Sequence, residues 1–208
     1  DKVKQWNKFS KYSGGTLVEK CCHYFDLFNL LAESRPVSVY ASGSQAVNFK
    51  DFEYGGEKSD ILDNAFVIVE YANGIRANFN LCMFAPMVYE ELVICGDEGR
   101  LKASEGVNGQ AYSKWENYLE VIALPDRTSR TMTPSYPAVI EETGHSGATY
   151  FEHLRFIEAM DGKPSTAASA EEGFWSVVVG VAAEESVKRG EKVMVKELLE
   201  GSGLGHLV

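Results

Sequence analysis

The stretch AFVIVEYANGIRANFNLCMF, residues 65–84, decides the fold that the sequence predicts. Within it, two runs rich in β-branched and aromatic residues flank Asn73-Gly74. Asn-Gly is the strongest short-range signal for a β-hairpin, because both positions of the tight turn favour positive φ. The stretch therefore predicts two antiparallel strands, over residues 65–71 and 75–84.

Similar patterns predict more strands around this hairpin, over residues 37–41, 91–95, 100–103 and 118–124. Apolar residues at helical spacing, each run opening on a capping box, predict helices over residues 16–34, 149–160 and 169–189. Residues 127–147, which are rich in Pro, Ser and Thr, are predicted to form a long irregular loop. One helix, several hairpin-linked strands and two helices predict an α+β fold. Its sheet is open and predominantly antiparallel or mixed, with helices packed on one face.

Composition limits the classes of protein that the chain can represent. A length of 208 residues predicts a single domain, with a linker arm over residues 1–13 and a flexible tail over residues 201–208. The net charge of −10 excludes a protein whose main task is to bind nucleic acid, and no apolar run approaches a membrane span. Four cysteines without a CxxC pair predict reduced thiols and a cytoplasmic protein.

The first predicted helix also carries a polar face. Glu19, His23 and Asp26 are spaced four and three residues apart, so on one regular helix they point the same way. A carboxylate beside an imidazole orients the ring and tunes it for proton transfer near neutral pH. The residues alone leave a structural explanation open, in which Glu19 caps the helix, His23 lies in the core and Asp26 faces water.

Two further features extend this candidate site. Gly14 and Gly15 remove two side chains at the start of the helix, where a ligand could approach free backbone N–H groups. His145 lies in a turn of small residues just before the second predicted helix, where it could reach a ligand or simply face water.

A metal site is a weaker interpretation of the same histidines. Glu19 and His23 would need His145 or His153 as a further ligand, and no HExxH pair supports that set, so no metal is predicted. The run Gly201-Ser202-Gly203-Leu204-Gly205 superficially matches a dinucleotide fingerprint. It follows a helical stretch rather than a strand, and too few residues follow it to form the required helix.

The motif GGTLVEKCCHYFDL, residues 14–27, resembles the GG-x-L-x-(D/E)-x3-H-x2-D signature of the Gfo/Idh/MocA oxidoreductases. These are the glucose–fructose oxidoreductase, inositol dehydrogenase and rhizopine-catabolism proteins. The hairpin around Asn73-Gly74 and the stretch GHSGATYFEHLRFIEAM, residues 144–160, are also similar to this family. The resemblance implies the family's C-terminal domain, which is dihydrodipicolinate-reductase-like. The dinucleotide-binding Rossmann domain and its bound NAD or NADP would lie outside this chain.

The resemblance also implies roles for individual residues. His23 would be the acid/base for a secondary alcohol or carbonyl of a sugar or polyol, and Glu19 would orient it or bind substrate. Gly14, Gly15, Asp26 and His145 would be substrate-binding residues. The family often has Asp where Glu19 stands, and the extra methylene changes the reach of that carboxylate.

Self-association and two other functions complete the expectations. The resemblance implies a homodimer or homotetramer that forms through the open face of the sheet. Phe66, Ile68, Phe79 and Leu81 could serve either that interface or the core. The alternatives are a non-catalytic dimerisation or ligand-sensing module on the same scaffold, and NAD-dependent glycosidase-type chemistry.

Overall fold

The computed structural model describes residues 5–107 and 115–208, which form two compact units. The first unit contains the chain up to Phe84 and from Ala168 onwards, and the second unit is Ala85–Ala167. The helices are α1 (Ser10–Ser13), α2 (Thr16–Glu19), α3 (Cys22–Ala32), α4 (Ala138–Glu141), α5 (Ala148–Met160), α6 (Ala170–Arg189) and α7 (Val195–Gly201). The strands are β1 (Pro36–Ser44), β2 (Glu53–Tyr54), β3 (Glu57–Lys58), β4 (Asn64–Tyr71), β5 (Arg76–Cys82), β6 (Tyr89–Cys95), β7 (Gly99–Val107), β8 (Trp115–Ala123), β9 (Thr128–Met132) and β10 (Val193–Met194).

The first unit is built on an antiparallel sheet in the order β10-β1-β4-β5. The predicted hairpin is confirmed as β4 and β5, with Val67 opposite Phe79. Tyr71 closes the turn by donating its N–H to the carbonyl of Ile75 at 2.9 Å. A second four-stranded antiparallel sheet, β6-β7-β8-β9, forms the second unit. The predicted α+β fold with open, antiparallel sheets is thereby confirmed.

Strand alternation assigns the two faces of the first sheet. Val67 and Val69 of β4 are buried, and Phe79 and Leu81 of β5 pack against the same core. Phe66, by contrast, points to the opposite, open face and is 65% exposed. The core face is covered by helices α3, α6 and α7 of the same unit.

Aromatic packing fixes α3 on this sheet. The ring of Phe79 lies 5.1 Å from that of Tyr24, 5.4 Å from that of Phe25 and 6.3 Å from that of Phe28. Phe25 is fully buried, so the face of α3 that carries it is turned toward the core. The opposite face of α3, which carries His23, is therefore turned outward.

The predicted helix caps differ in outcome. The capping box at Ser169 is confirmed: its hydroxyl accepts the N–H of Glu172 at 3.2 Å, and the Glu172 carboxylate accepts the N–H of Ser169 at 2.6 Å. The boxes predicted at Thr16 and Thr149 are wrong, because neither α2 nor α5 has a side-chain cap hydrogen bond. The Thr16 hydroxyl instead donates to the carbonyl of Leu62 at 2.5 Å.

Three segments predicted as irregular or extended are more ordered than the sequence indicates. The loop over residues 127–147 contains β9, α4 and a 3-10 turn, so that prediction is wrong. β9 pairs with β8, but all of its side chains are exposed. Its sequence therefore lacks the alternation of apolar and polar residues by which a strand is predicted. In the tail over residues 201–208, Leu204 donates its N–H to Leu199 at 2.7 Å and packs against the core.

The arm over residues 1–13 is the third such segment, and its residues 1–4 lie outside the described part of the chain. The rest of the arm is helical rather than extended, with a 3-10 turn followed by α1. Phe9 is buried, and both the hydroxyl and the N–H of Ser10 donate to the carboxylate of Asp60. These contacts hold the arm on the first unit. Across the described ranges 5–107 and 115–208, every helix is too short or too polar to span a bilayer.

Helix α6 approaches α2 so closely that only glycine fits at one point. A Cβ on Gly180 would lie 2.5 Å from the carbonyl oxygen of Leu17 and 3.0 Å from the Cα of Val18. Gly173, on the same helix, has no heavy atom within 4 Å of such a Cβ. The two glycines therefore offer a matched test of this helix contact.

We expect Gly180→Ala to lower the free energy of unfolding by about 1–3 kcal/mol, because the added methyl group overpacks the contact with α2. Gly173→Ala is expected to raise it by up to about 1 kcal/mol, because alanine favours the helix and meets no neighbour. Urea unfolding followed by circular dichroism measures both. Equal effects of the two substitutions would contradict the close approach.

Candidate functional site

The sequence motif that carries the candidate residues folds as two helices, not as the single helix predicted over residues 16–34. Helix α2 ends where the carbonyl of Thr16 accepts the N–H groups of both Lys20 and Cys21, at 3.0 and 3.3 Å. Lys20 and Cys21 keep right-handed helical backbone angles. Apolar periodicity therefore continues through the break, and the sequence pattern does not reveal it.

This break separates the three polar residues that the sequence places on one face. Glu19 is the last residue of α2, whereas His23 and Asp26 lie one turn apart on α3. The side chain of Glu19 pairs with Lys20, at 3.4 Å between carboxylate and ammonium. The prediction that one helix carries all three is wrong, because only His23 and Asp26 share a helix.

His23 and Asp26 nevertheless form an interacting pair. His23 is exposed and Asp26 is half-buried. Burial raises the pKa of Asp26, and the nearby negative charge of Glu172 raises it further, while His23 lowers it. A protonated imidazole thus favours the ionised carboxylate beside it. An imidazole near a carboxylate is an arrangement that general acid/base chemistry uses.

The charges of Glu19 and Asp26 both act on the thiol of Cys22. Burial raises the pKa of the Cys22 thiol, and the charges of Glu19 and Asp26 raise it further. The thiol therefore stays protonated at neutral pH and is no nucleophile. Glu19 thus precedes the first turn of α3, and Asp26 follows it.

The structure explains why positions 14 and 15 are glycines, and the sequence did not indicate this explanation. Their φ angles are +82° and +100°, in the left-handed region that favours glycine. A Cβ on Gly15 would collide with the carboxylate of Glu184, which occupies the space where the sequence suggested a ligand. Nor are the N–H groups there free: that of Gly15 donates to Ser13 Oγ at 3.1 Å and that of Leu17 to Glu184 Oε1 at 3.0 Å. A role for Gly14 and Gly15 in substrate binding stays a prediction.

His145 lies in the second unit and is exposed. It belongs to a run in which all four residues, 144–147, have positive φ, with 48° at His145 and 53° at Ser146. A non-glycine residue in this conformation costs about 1–3 kcal/mol, and such strain is common at ligand-binding loops. The contact of His145 with substrate stays a prediction.

Other candidate sites in the described part of the chain are poor. No group of three His, Cys, Asp or Glu side chains within residues 5–107 and 115–208 is placed to hold a metal ion. An open cavity of about 230 Å³ lies beside the end of α6, and no predicted site residue lines it. Its lining residues are Arg189, Val193, Met194, Glu197, Leu198, Gly201 and Ser202.

Solved structures show the same fold. Levoglucosan dehydrogenase, in complex with NADH and levoglucosan, superposes with a TM-score of 0.68 at 20% identity, covering 91% of this chain and 53% of that one. The WlbA dehydrogenase of Bordetella pertussis, in complex with NADH and UDP-GlcNAcA, gives a TM-score of 0.59 at 16% identity, covering 91% and 48%. Identities this low establish the fold alone.

Sequence comparison gives the family. YteT of Bacillus subtilis (strain 168), an oxidoreductase by description, is 23% identical over an alignment 269 positions long, which covers 95% of this chain and 59% of YteT. The chain thus spans between about half and three-fifths of the length of the proteins it matches. The profile described as "Oxidoreductase family, C-terminal alpha/beta domain" matches residues 1–195. The chain therefore belongs to the Gfo/Idh/MocA oxidoreductase family, as its C-terminal α/β domain.

Proposed function

We propose that this domain is the substrate-binding and oligomerisation half of an NAD(P)-dependent oxidoreductase that acts on a secondary alcohol or carbonyl of a sugar or polyol. His23 is the acid/base of that reaction. The solved relatives support the substrate class, because one binds levoglucosan with NADH and another binds a nucleotide sugar with NADH. The four cysteines are free thiols, which supports a reducing, cytoplasmic location.

The observation that carries this proposal is the outward presentation of His23 beside Asp26. A core histidine would be enclosed, but His23 is exposed on the face of α3 opposite the buried Phe25. The same outer face continues with Leu27 and Leu30, which are 37% and 64% exposed. Exposed leucines next to a polar pair favour a face that another protein surface covers. We assign this outer face of α3 to contact with the cofactor-binding half of the complete protein, which membership of the family implies.

The chemistry assigned to this chain is a proton transfer. When a secondary alcohol becomes a carbonyl, the hydroxyl hydrogen leaves as a proton while the carbon loses hydride. The neutral imidazole of His23 accepts that proton, and Asp26 stabilises the imidazolium that forms. In the reverse direction the imidazolium returns the proton to the carbonyl oxygen. Because both groups are held on one turn of α3, the acceptor needs no rearrangement.

The described residues do not themselves provide a nicotinamide site. A dinucleotide is held by a glycine-rich turn between a parallel strand and a helix, and both four-stranded sheets described here are antiparallel. The glycine-rich run over residues 201–205 follows helix α7 instead. The cofactor, whose part is to exchange hydride with the substrate, is therefore assigned to the other half of the complete protein, and NAD is not distinguished from NADP.

We expect His23→Asn in the complete oxidoreductase to lower the rate of hydride transfer by about 100-fold or more, because a general acid/base contributes at least that factor. Stopped-flow absorbance of the reduced cofactor measures the rate. His206→Asn, in the C-terminal tail, is the matched control and should leave the rate unchanged. A His23→Asn rate within about threefold of the original, under about 1 kcal/mol of barrier, would remove His23 from the chemistry.

The isolated domain should not bind the cofactor tightly. Calorimetric titration of this chain with NAD and with NADP is expected to show no binding in the micromolar range, because residues 5–107 and 115–208 contain no phosphate-binding turn between a parallel strand and a helix. Binding of either dinucleotide with a micromolar or lower dissociation constant would contradict the proposal that the other half of the complete protein binds the cofactor.

The open face of the first sheet supports the oligomerisation role. Phe66 and Ile68 of β4 and Tyr40 of β1 are exposed there, and Tyr40 lies directly opposite Ile68. At one end of this face Glu70 accepts a hydrogen bond from Ser38 at 2.6 Å. An apolar centre beside polar groups is typical of protein interfaces. A second copy of the chain is the proposed occupant, as a homodimer or homotetramer.

Phe66→Asp is expected to dissociate the oligomer, because it places a charge in the centre of the apolar face. Sedimentation equilibrium at increasing protein concentration measures the change. Val47→Asp is the matched control, since Val47 has a similar exposure of 58% and lies in the loop after β1, outside the sheet face. A chain that is monomeric before substitution, or an oligomer that Phe66→Asp leaves intact, would refute this assignment.

A further inference from the structure

A buried carboxylate from the long helix α6 holds the start of α2. Glu184 is 7% exposed, and its Oε1 accepts the backbone N–H of Leu17 at 3.0 Å. Leu17 is fully buried in the core. The first N–H groups of a helix have no partner within the helix, so this one would be an unpaired buried donor without Glu184. The carboxylate thus takes the place of the side-chain cap that Thr16 does not provide.

The surroundings of Glu184 are shaped for this contact. Ser176, Gly180 and Glu184 follow one another at four-residue spacing and are all buried, so they form a second buried ridge on α6. Gly180 lets the backbone of α2 come within contact of α6, and Gly15 leaves room for the carboxylate itself. Gly180 on α6 and Gly15 just before α2 therefore both make room for the hydrogen bond between Glu184 and Leu17.

The contact between Glu184 and Leu17 lies at the start of the segment that carries His23, the candidate acid/base. Leu17 belongs to α2, which is followed by the break at residues 20 and 21 and then by the first turn of α3 with His23. Cys21, the residue of the break that precedes α3, is fully buried in the core and so has little freedom to absorb a displacement. A shift of α2 is consequently passed on to the first turn of α3.

We propose that Glu184 is a positioning residue: by holding the N-terminus of α2 against α6, it sets the orientation of His23. This inference rests on the proposed function for its catalytic meaning, although the placement of the imidazole can be measured without any turnover. Glu184 itself is buried. Its carboxyl group acts only through the backbone of α2.

The test compares Glu184→Gln with Glu184→Asp in this chain. Glutamine keeps the acceptor oxygen at the same reach, whereas aspartate keeps the charge but withdraws the oxygen by one methylene. Glu185→Asp is the matched control, because the neighbouring Glu185 pairs at the surface with Lys188 at 3.0 Å and Arg189 at 3.3 Å. Circular dichroism first establishes that each variant is folded. The imidazole resonances of His23 and the exchange rate of the Leu17 amide are then recorded by NMR at one fixed pH.

We expect Glu184→Asp to shift the imidazole resonances of His23 and to speed exchange of the Leu17 amide by about tenfold or more. The resonances of His206 should not move. Glu184→Gln and Glu185→Asp should leave both signals as in the original chain. Unchanged His23 resonances in a folded Glu184→Asp variant would overturn the proposal, as would an equal shift in Glu184→Gln.

A second measurement separates this inference from the proposed function. In the complete oxidoreductase, Glu184→Asp should lower kcat with little change in KM. Glu184→Gln should keep kcat at the value of the original protein. If the His23 resonances respond as expected while His23→Asn leaves turnover intact, Glu184 does position the ring and the acid/base assignment is wrong. If the resonances do not respond, the positioning role is refuted whatever the turnover shows.

Discussion

The close contact between α6 and α2 is the constraint on which the candidate site depends. Helix α6 is buried along two ridges, one of which packs toward the sheet and α3, while the other faces α2. At the second ridge, glycine at position 180 and a buried glutamate at position 184 replace the large apolar residues usual in a core. This ridge buries less apolar surface but fixes the position of the α2 backbone. A hydrogen bond to a buried N–H has a stricter geometry than a hydrophobic contact.

Around that constraint the acidic groups of the site divide into distinct environments. Glu184 is enclosed, and burial raises its pKa even though the N–H of Leu17 favours the charged form. Asp26 is half-buried near an exposed imidazole, and Glu19, also half-buried, pairs with Lys20. A single motif thus supplies one acidic side chain that interacts with the imidazole and another that pairs with a lysine. The extra methylene at Glu19, where the family often has aspartate, lengthens a side chain that does not lie on the helix of His23.

The sequence predicted most of the fold because its main signals are local. The Asn73-Gly74 turn and the alternating apolar residues identify β4 and β5, and the Ser169 capping box identifies the start of α6. Segments whose order depends on distant partners were missed. β9 is recognised only through its pairing with β8, since all of its side chains are exposed.

The candidate site was predicted less completely for the same reason. The sequence drew attention to His23 and Asp26 because helical spacing relates them directly. Glu184 was missed because its partner, Leu17, is 167 residues away in the chain. The signal that could have revealed it is the four-residue spacing of Ser176, Gly180 and Glu184, which puts an acid in line with small residues on one side of α6.

The central claim is that the imidazole of His23 meets the reacting hydroxyl group. A crystal structure of the complete oxidoreductase with its substrate and nicotinamide cofactor bound measures this directly. The account predicts a ring nitrogen of His23 within hydrogen-bonding distance, about 2.6–3.2 Å, of the oxygen on the carbon that faces the nicotinamide. A ring that lies outside hydrogen-bonding reach of that oxygen, with another side chain in its place, would contradict it.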